Sequence, residues 1–485
     1  MILKICDWII FYSLIFLVTL TPIVINPWGD DQFRLPKEVF AQIMIIIAFS
    51  SWLIKLVEEN LISPRPPLIK GDKRGILSTA KRIVSETPFI LPISLLILAS
   101  ILSLINSTSA LFSFKSILNI IFYSLLYIVI VNNVKRDRQI KILLISALLS
   151  GIITSIYCLI QYFGLDPITH TVNPADSNFG TYRTTGFLDN PDVVSGYLVI
   201  LPTIALSLFI TSKNLFFKIL VLFSFILIVS VIIIIHSITP ILGLLAAFLV
   251  FTAFIISRTT FTWKNSLIVL LLISFIGGGG FLTNKFESIF NGIFHHYGRF
   301  LDLSSDRLLM WRTAGEMIKD KPILGIGMGM YKVKFFEYRD KVLDKIPYFG
   351  VYEKAEQAHN EYFQLWAEMG TIGIIAAIWL IISSFAYTIK LAVPRSSAAG
   401  LPYIPSPLEG EGRVRGTTNQ LLIIGCMSGV VAILIDAIGS FPFHIAPSAV
   451  VTVVLVALTV SIQNLSSPSE RELSLPSSSP LVGED

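Results

Sequence analysis

Twelve apolar runs, each about long enough to cross a membrane, constrain this chain more than any other feature of its sequence. A helix needs about 20 mostly apolar residues to span the hydrocarbon core of a bilayer. The runs predict spans at residues 8–26, 39–57, 88–105, 115–133, 140–163, 192–212, 215–235, 238–257, 265–283, 364–389, 421–440 and 445–463. We therefore expect an all-α polytopic membrane protein with about 12 transmembrane helices.

The composition agrees with a chain that lies mostly in the membrane. Of the 485 residues 54% are hydrophobic and only 14% are charged, whereas a soluble globular chain carries about 25% charged residues. A soluble enzyme, a disordered chain and a peripheral protein with one anchor are excluded on these grounds. The three cysteines have no paired spacing, which argues against a disulfide framework.

The basic residues predict how the spans are oriented. Cytoplasmic loops carry an excess of Lys and Arg, and long translocated loops are exempt from this bias. If the N-terminus is cytoplasmic, 21 of the 37 Lys and Arg lie inside, 4 lie in short outer loops and 12 lie in one long outer loop. This orientation predicts two cytoplasmic termini and four parts: helices 1–9 (1–283), a long helical periplasmic loop between helices 9 and 10 (284–361), helices 10–12 (362–465) and a disordered tail (466–485).

Candidate chemistry concentrates at the predicted outer face. All six histidines fall there, namely His170, His236, His295, His296, His359 and His444. Ionisable residues inside spans are the usual mark of a transport pathway, and the predicted spans offer little beyond Asp436. His295 and His296 lack further ligands at metal spacing, so we predict no metal site. A small-solute transporter is disfavoured but stays an alternative.

Two arginines of the long loop lie on a predicted helix that Ser305 caps and Pro322 follows. Arg307 shares a face with Trp311, Ala314 and Ile318 at helical spacing. A lone charge on an apolar face needs a reason, so Arg307 is a candidate ligand group for an anion.

Arg312 lies about 140° around the same helix, at the spacing that pairs it with Glu316. A surface ion pair is its alternative reading. Arg183 is the sole basic residue of the 164–191 loop and is a further candidate. The glycine-rich segment 320–330 follows a helix rather than a strand, so we predict a tight apolar turn and not a dinucleotide loop.

The loop ends in a segment, 355–370, that is predicted to run as a helix into the tenth span. On such a helix His359 shares a face with Tyr362, Phe363 and Trp366. Glu356 at i−3 could hold one ring nitrogen and leave the other free as a base. The alternative is an interfacial histidine hydrogen-bonded to backbone.

These motifs resemble those of the O-antigen ligase and O-antigen polymerase superfamily. The likeness rests on Arg307–Gly327 (RLLMWRTAGEMIKDKPILGIG), Ala358–Tyr362 (AHNEY), Glu368–Gly373 (EMGTIG), Arg183–Asp192 (RTTGFLDNPD) and Asn26–Lys37 (NPWGDDQFRLPK). The chain departs from the family where many relatives have Ser-Arg-Gly-Ala at the start of the eighth span, because it has Ser237-Ile238-Thr239-Pro240. His236 is adjacent and could replace the missing arginine.

The resemblance implies an inner-membrane glycosyltransferase that needs neither metal nor cofactor. Its donor would be a glycan on undecaprenyl pyrophosphate, bound at the periplasmic face among membrane lipids, and nucleic acid would play no part. Arg307 and Arg183, with Arg312 as a weaker candidate, would bind the pyrophosphate. His359 would activate the acceptor hydroxyl, supported by Glu356, Asn360 and Tyr362. The resemblance leaves open a ligase, a polymerase or a protein O-oligosaccharyltransferase, and so a glycolipid, glycan or protein acceptor.

Overall fold

The computed structural model describes residues 1–62, 87–168, 184–258, 307–343, 355–392 and 407–466, and within them the chain is helical and forms no strand. The helices are α1 (Ile2–Leu20), α2 (Arg34–Ile62), α3 (Ile90–Leu102), α4 (Ala110–Asn133), α5 (Asp137–Tyr162), α6 (Pro191–Leu198), α7 (Pro202–Thr211), α8 (Leu215–Ile235), α9 (Ile238–Arg258), α10 (residues 307–320), α11 (Tyr331–Leu343), α12 (Glu361–Ala392), α13 (Pro407–Asp436) and α14 (Ala446–Ser466). Short 3-10 turns at Ser103–Asn106 and Pro442–His444 follow α3 and precede α14.

Ten apolar segments of the described chain are long enough to cross a membrane. They match ten of the twelve predicted spans and identify a multipass membrane protein. The predicted span 88–105 is a shorter apolar helix with a 3-10 end, at Ile90–Asn106. The predicted span 265–283 lies outside the described residues, as do residues 284–306 and 344–354 of the predicted long loop, so the count of twelve stays a prediction.

One predicted span is broken in the middle. The span predicted at 192–212 consists of α6 and α7, which are separated by three fully buried residues, 199–201. Pro202 begins α7, and proline has no N–H to continue the hydrogen bonding of the preceding helix. The sequence analysis missed this break. Apolar side chains fill it, and the backbone of α13 approaches closely at Gly425 and Gly429.

The helix ends collect on two sides of the bundle, as the predicted alternation requires. On one side the first turn of α1, the last turns of α2 and α4 and the first turn of α5 line a common cavity. On the other side the first turn of α2 meets the segment before α12 through Arg34 and Glu356. Which side faces the cytoplasm stays a prediction.

The glycine-rich turn, residues 320–330, docks onto a break in α12. Gly370 has φ 65° and ψ −168° and interrupts the helix there. The Thr371 N–H donates to the Pro322 carbonyl at 2.8 Å, and the Ile326 N–H donates to the Ala367 carbonyl at 2.9 Å. Gly325, with φ +70°, lies against the backbone of residue 368. These contacts fix α10 against the N-terminal part of α12.

A buried carboxylate completes this junction. Glu368 is 1% exposed. Its two oxygens accept the N–H groups of Gly329 at 2.8 Å and of Tyr331 at 3.0 Å. The Met328 N–H donates to Ser103 Oγ at 3.0 Å. The turn thus packs between the 3-10 end of α3 and α12, and its backbone N–H groups are used structurally. This arrangement agrees with the predicted tight turn.

Candidate functional site

His359 lies just before α12 rather than on it. Its backbone is left-handed, with φ 49°, and Asn360 caps the helix by accepting the Phe363 N–H at 3.0 Å. Asparagine is among the best N-cap residues because its side chain satisfies a free N–H of the first turn. The prediction of a helix over 355–370 is therefore wrong before Glu361. A left-handed non-glycine residue costs about 1–3 kcal/mol and is common at functional sites.

The imidazole of His359 is held by an aromatic ring and not by a carboxylate. It packs edge-to-face against Phe441, with the ring centroids 5.0 Å apart. Its Nδ1 atom is buried and has no hydrogen-bond partner within the described chain. Glu356, which was predicted to hold this ring, instead places Oε2 2.7 Å from Arg34 Nη1. That prediction is wrong because the segment is not helical where the i−3 spacing was applied.

The surroundings of His359 favour its neutral form. Burial is the main cause that lowers its pKa, and the positive charges of Arg307 and Arg34 lower it further. Asp192 acts in the opposite direction. A pKa below the ordinary value of about 6.5 leaves the imidazole unprotonated at neutral pH. That is the state a general base requires.

Arg307 faces the same cluster, as its helix face predicts. Its Nη2 atom lies 3.9 Å from Asp192 Oδ2, and about a third of its side chain is exposed. Its Nη1 atom lies close to the backbone of Gly439. Arg312 is exposed, and Glu316 Oε1 lies 3.0 Å from Lys319 Nζ. Arg307 thus faces the cluster and Arg312 lies on an exposed face of the helix, as the helical periodicity predicts.

Residues 237–240, where many relatives have an arginine, instead donate hydrogen bonds to two carboxylates. Ser237 donates to Asp192 Oδ1 at 2.7 Å, and Thr239 donates to Asp436 Oδ1 at 2.8 Å. Asp436 is fully buried, and its Oδ2 has no hydrogen-bond partner within the described chain. His236 is exposed at the end of α8, and its Nδ1 lies 2.6 Å from the Ile234 carbonyl. Its role as a replacement cation stays untested.

The segment after α13, residues 437–445, forms a wall of the site that sequence reasoning missed. We call it the outer turn, after the face at which the predicted topology places it. Its Phe441 ring contacts His359 and lies 5.7 Å from the guanidinium carbon of Arg34. The Ala437 carbonyl accepts the Glu361 N–H at 2.9 Å. Tyr362, a predicted supporting residue, donates from its hydroxyl to the Leu434 carbonyl at 2.7 Å. Tyr362 therefore helps to fix the outer turn rather than reaching the imidazole.

His444 anchors the same turn to the start of α12. Its Nδ1 lies 2.9 Å from Glu361 Oε1, and its Nε2 lies 3.2 Å from the amide nitrogen of Gln364. Although burial alone would lower it, the Glu361 carboxylate, helped by Glu368, raises the pKa of His444 to about 9. Arg34 opposes this shift. The residue is therefore a cation at neutral pH.

The His444–Glu361 pair should make stability depend on pH. Because the folded pKa is raised, the stabilisation is fully present below the unfolded value of about 6.5 and is lost as pH rises through about 9. We expect the melting temperature of the wild type to fall over this range and that of His444→Gln to change less. Thermal unfolding in detergent at stepped pH measures this. His236→Asn, at an exposed histidine, should keep the wild-type slope, and an unchanged slope in His444→Gln would contradict the assignment.

Arg183 cannot be placed in this cluster, because residues 169–183 lie outside the described chain. The described site thus holds Arg307, His359 and Asn360 from the sequence prediction, and it adds residues from four other segments. The added residues are Arg34, Asp192, Asp436 and Phe441. Arg34 and Asp192 lie in segments that carry the family resemblance, and Asp436 had a signal as an ionisable residue within a predicted span. Phe441 had none.

A multispan helical protein with this cluster of arginine and histidine at one end of its helices has a counterpart among known families. Residues 223–378 match the family model described as O-antigen ligase. The match includes Arg307 and His359 and ends before the outer turn. No curated protein matches the chain. The match supports membership of the O-antigen ligase superfamily, as the motifs predicted, and a ligase-type membrane glycosyltransferase in general terms.

Proposed function

We propose that this protein transfers or polymerises glycan from an undecaprenyl-pyrophosphate-linked donor at the periplasmic face of the inner membrane. The observation that carries the proposal is that a neutral His359, whose Nδ1 has no hydrogen-bond partner among the described residues, lies in one cluster with Arg307. A base for the acceptor and a cation for the leaving group are the two elements that this transfer needs.

In the proposed reaction the acceptor hydroxyl gives its proton to His359 as its oxygen attacks the anomeric carbon of the donor sugar. The bond between that carbon and the pyrophosphate oxygen breaks, and undecaprenyl pyrophosphate leaves with the electron pair. Arg307 would neutralise the charge that grows on the pyrophosphate, through the planar fork that suits phosphate oxygens. Arg34 and Arg183 are further cations for this role, and Arg312, being exposed, is the weakest candidate.

Several finer points of the prediction belong to this proposal. They are catalysis without metal or cofactor, the division of the chain at 283, 361 and 465, and two cytoplasmic termini. Asn360 supports His359 by starting α12 directly after it. Glu356 supports it indirectly, by holding Arg34. The acceptor, whether glycolipid core, growing glycan or protein hydroxyl, is left to experiment.

A transporter is the alternative from another class, and the broken α6–α7 span is the observation that favours it. Transport sites are commonly formed where helices break near the membrane midplane. Here the break is filled by Val199, Ile200 and Leu201, all fully buried. Buried apolar side chains offer no ligand to an ion or polar solute, so the break supports close helix packing better than transport.

The test is a gene deletion complemented with wild type, His359→Ala or Lys213→Gln, followed by gel analysis of surface glycans and lipid-linked intermediates. We expect His359→Ala to behave as the deletion, because loss of a general base costs roughly 10²–10⁴-fold, and Lys213→Gln, at an exposed position outside the site, to behave as wild type. Accumulated long lipid-linked polymer identifies a ligase, and accumulated single repeat units identify a polymerase. Unchanged glycans in the deletion and in His359→Ala would overturn the proposal.

A further inference from the structure

A second charged site lies at the opposite ends of the helices from His359. There a cavity of about 920 Å³ opens between the ends of α1, α2, α4 and α5. Five basic side chains line it, and Asp7 and Glu59 are its acidic residues. The basic residues are Lys4, Lys55, Lys135, Arg136 and Arg138. The cavity therefore has an excess of positive charge.

Most of these cations have no ion-pair partner within the described ranges. Lys55 Nζ lies 2.6 Å from Asp7 Oδ1, and this pair accounts for one charge of each sign. Lys4 and the three basic residues before and at the start of α5 are exposed and form no ion pair with another residue of the described ranges. Four cations at one cavity, with the Glu59 carboxylate as the remaining acidic group of its lining, favour the binding of an anion.

The cavity continues into an apolar groove on the membrane-facing side of α1 and α2. The groove is about 730 Å³ in volume and shares Lys4, Trp8 and Tyr12 with the charged cavity. Its other walls are mainly aliphatic and aromatic, including Ile9 and Ile47. Trp8 is 67% exposed and Tyr12 is 49% exposed, which is typical of aromatic residues at the level of lipid headgroups.

We infer that this site binds an anionic phospholipid, with its phosphate among Lys135, Arg136 and Arg138 and an acyl chain in the groove beside Trp8. Basic pockets between transmembrane helices recognise anionic headgroups in this way. A free phosphate would satisfy the cavity but not the groove, and a neutral lipid would satisfy the groove but not the cavity. The inference is independent of the proposed glycan transfer, since the two sites lie at opposite helix ends.

The experiment uses the full-length protein purified in a neutral detergent. Lipid binding is measured by the change in melting temperature as each lipid is added. Phosphatidylglycerol should raise the melting temperature, whereas phosphatidylcholine and inorganic phosphate should not. A short-chain phosphatidylglycerol should bind more weakly than the long-chain form, because it leaves the groove unfilled. The double variant Arg136→Gln/Arg138→Gln should bind phosphatidylglycerol roughly 20- to 30-fold more weakly, at about fivefold per basic residue.

The matched control is Lys141→Gln/Lys213→Gln, which removes the same charge from exposed positions outside the cavity. It should bind as wild type does. Melting temperatures without lipid separate a folding defect from a binding defect. The inference is overturned if both double variants bind phosphatidylglycerol alike, if phosphatidylcholine binds equally well, or if phosphate alone reproduces the stabilisation.

Discussion

Replacing Arg307 with alanine should lower kcat/KM for glycan transfer by about 10²–10³-fold, the usual cost of removing one group that stabilises developing negative charge. Arg312→Ala should lower it by no more than about threefold, because exposed surface charges contribute little. The two arginines are five residues apart on α10, so they share any general effect of the helix. Arg307 faces Asp192 and the outer turn, whereas Arg312 is exposed.

Arg307→Lys distinguishes charge from geometry at this position. Lysine keeps the charge but lacks the planar fork, so an intermediate loss is expected. The pH dependence of the activity that remains in Arg307→Ala should also change, because it depends on the pKa of His359. Because Arg307 lowers the pKa of His359, its replacement by a neutral residue should raise that pKa and move the acid limb of the pH profile to higher pH.

The measurement for all three variants is transfer from a lipid-linked donor in isolated membranes, normalised to the amount of folded protein. A larger loss in Arg312→Ala than in Arg307→Ala would contradict the assignment of the two helix faces. An acid limb that moves to lower pH in Arg307→Ala would contradict the electrostatic coupling between Arg307 and His359.

Helical periodicity predicted the side chains of α10 correctly because that segment is a regular helix. Positions seven and eleven residues apart keep a common face only while the backbone is helical. The same argument failed for Glu356 and His359, which lie just before the first turn of α12 at Glu361. Asn360 captures a backbone N–H there and starts the helix, so Glu356 and His359 lie on irregular backbone. The preference of Asn360 for the N-cap position outweighed the amphipathic pattern that predicted a longer helix.

The rest of the site depends on contacts between distant segments. Arg34 meets Glu356 across 322 positions of sequence, and Thr239 meets Asp436 across 197. No local pattern encodes such pairings. Ten of the twelve apolar runs match helices long enough to span a membrane, because length and hydrophobicity alone determine whether a helix can do so. They did not reveal the break before Pro202, since a buried apolar break has the same composition as a continuous span.

The second large effect is expected at Gly370, where alanine should destabilise the protein by about 3 kcal/mol or more. Its φ of 65° and ψ of −168° lie in a region that essentially glycine alone adopts. A Cβ atom there would also lie 2.2 Å from the Ile323 carbonyl oxygen. The nearest atoms, from Ile323 and Gly325, all belong to the backbone. They cannot move away as the end of a flexible side chain could.

Gly315→Ala is the matched control, because it adds the same methyl group to the middle of α10. A Cβ atom at Gly315 would meet nothing within 4 Å, and alanine favours a helix interior over glycine by about 1 kcal/mol. We therefore expect opposite shifts of the melting temperature from the same chemical change, measured by thermal unfolding and size-exclusion chromatography in detergent. Equal melting temperatures for the two variants would show that the glycine-rich turn does not dock on α12 as described. Because that turn docks the end of α10 against α12, the fraction of Gly370→Ala that still folds should also lose transfer activity, through displacement of Arg307 from Asp192.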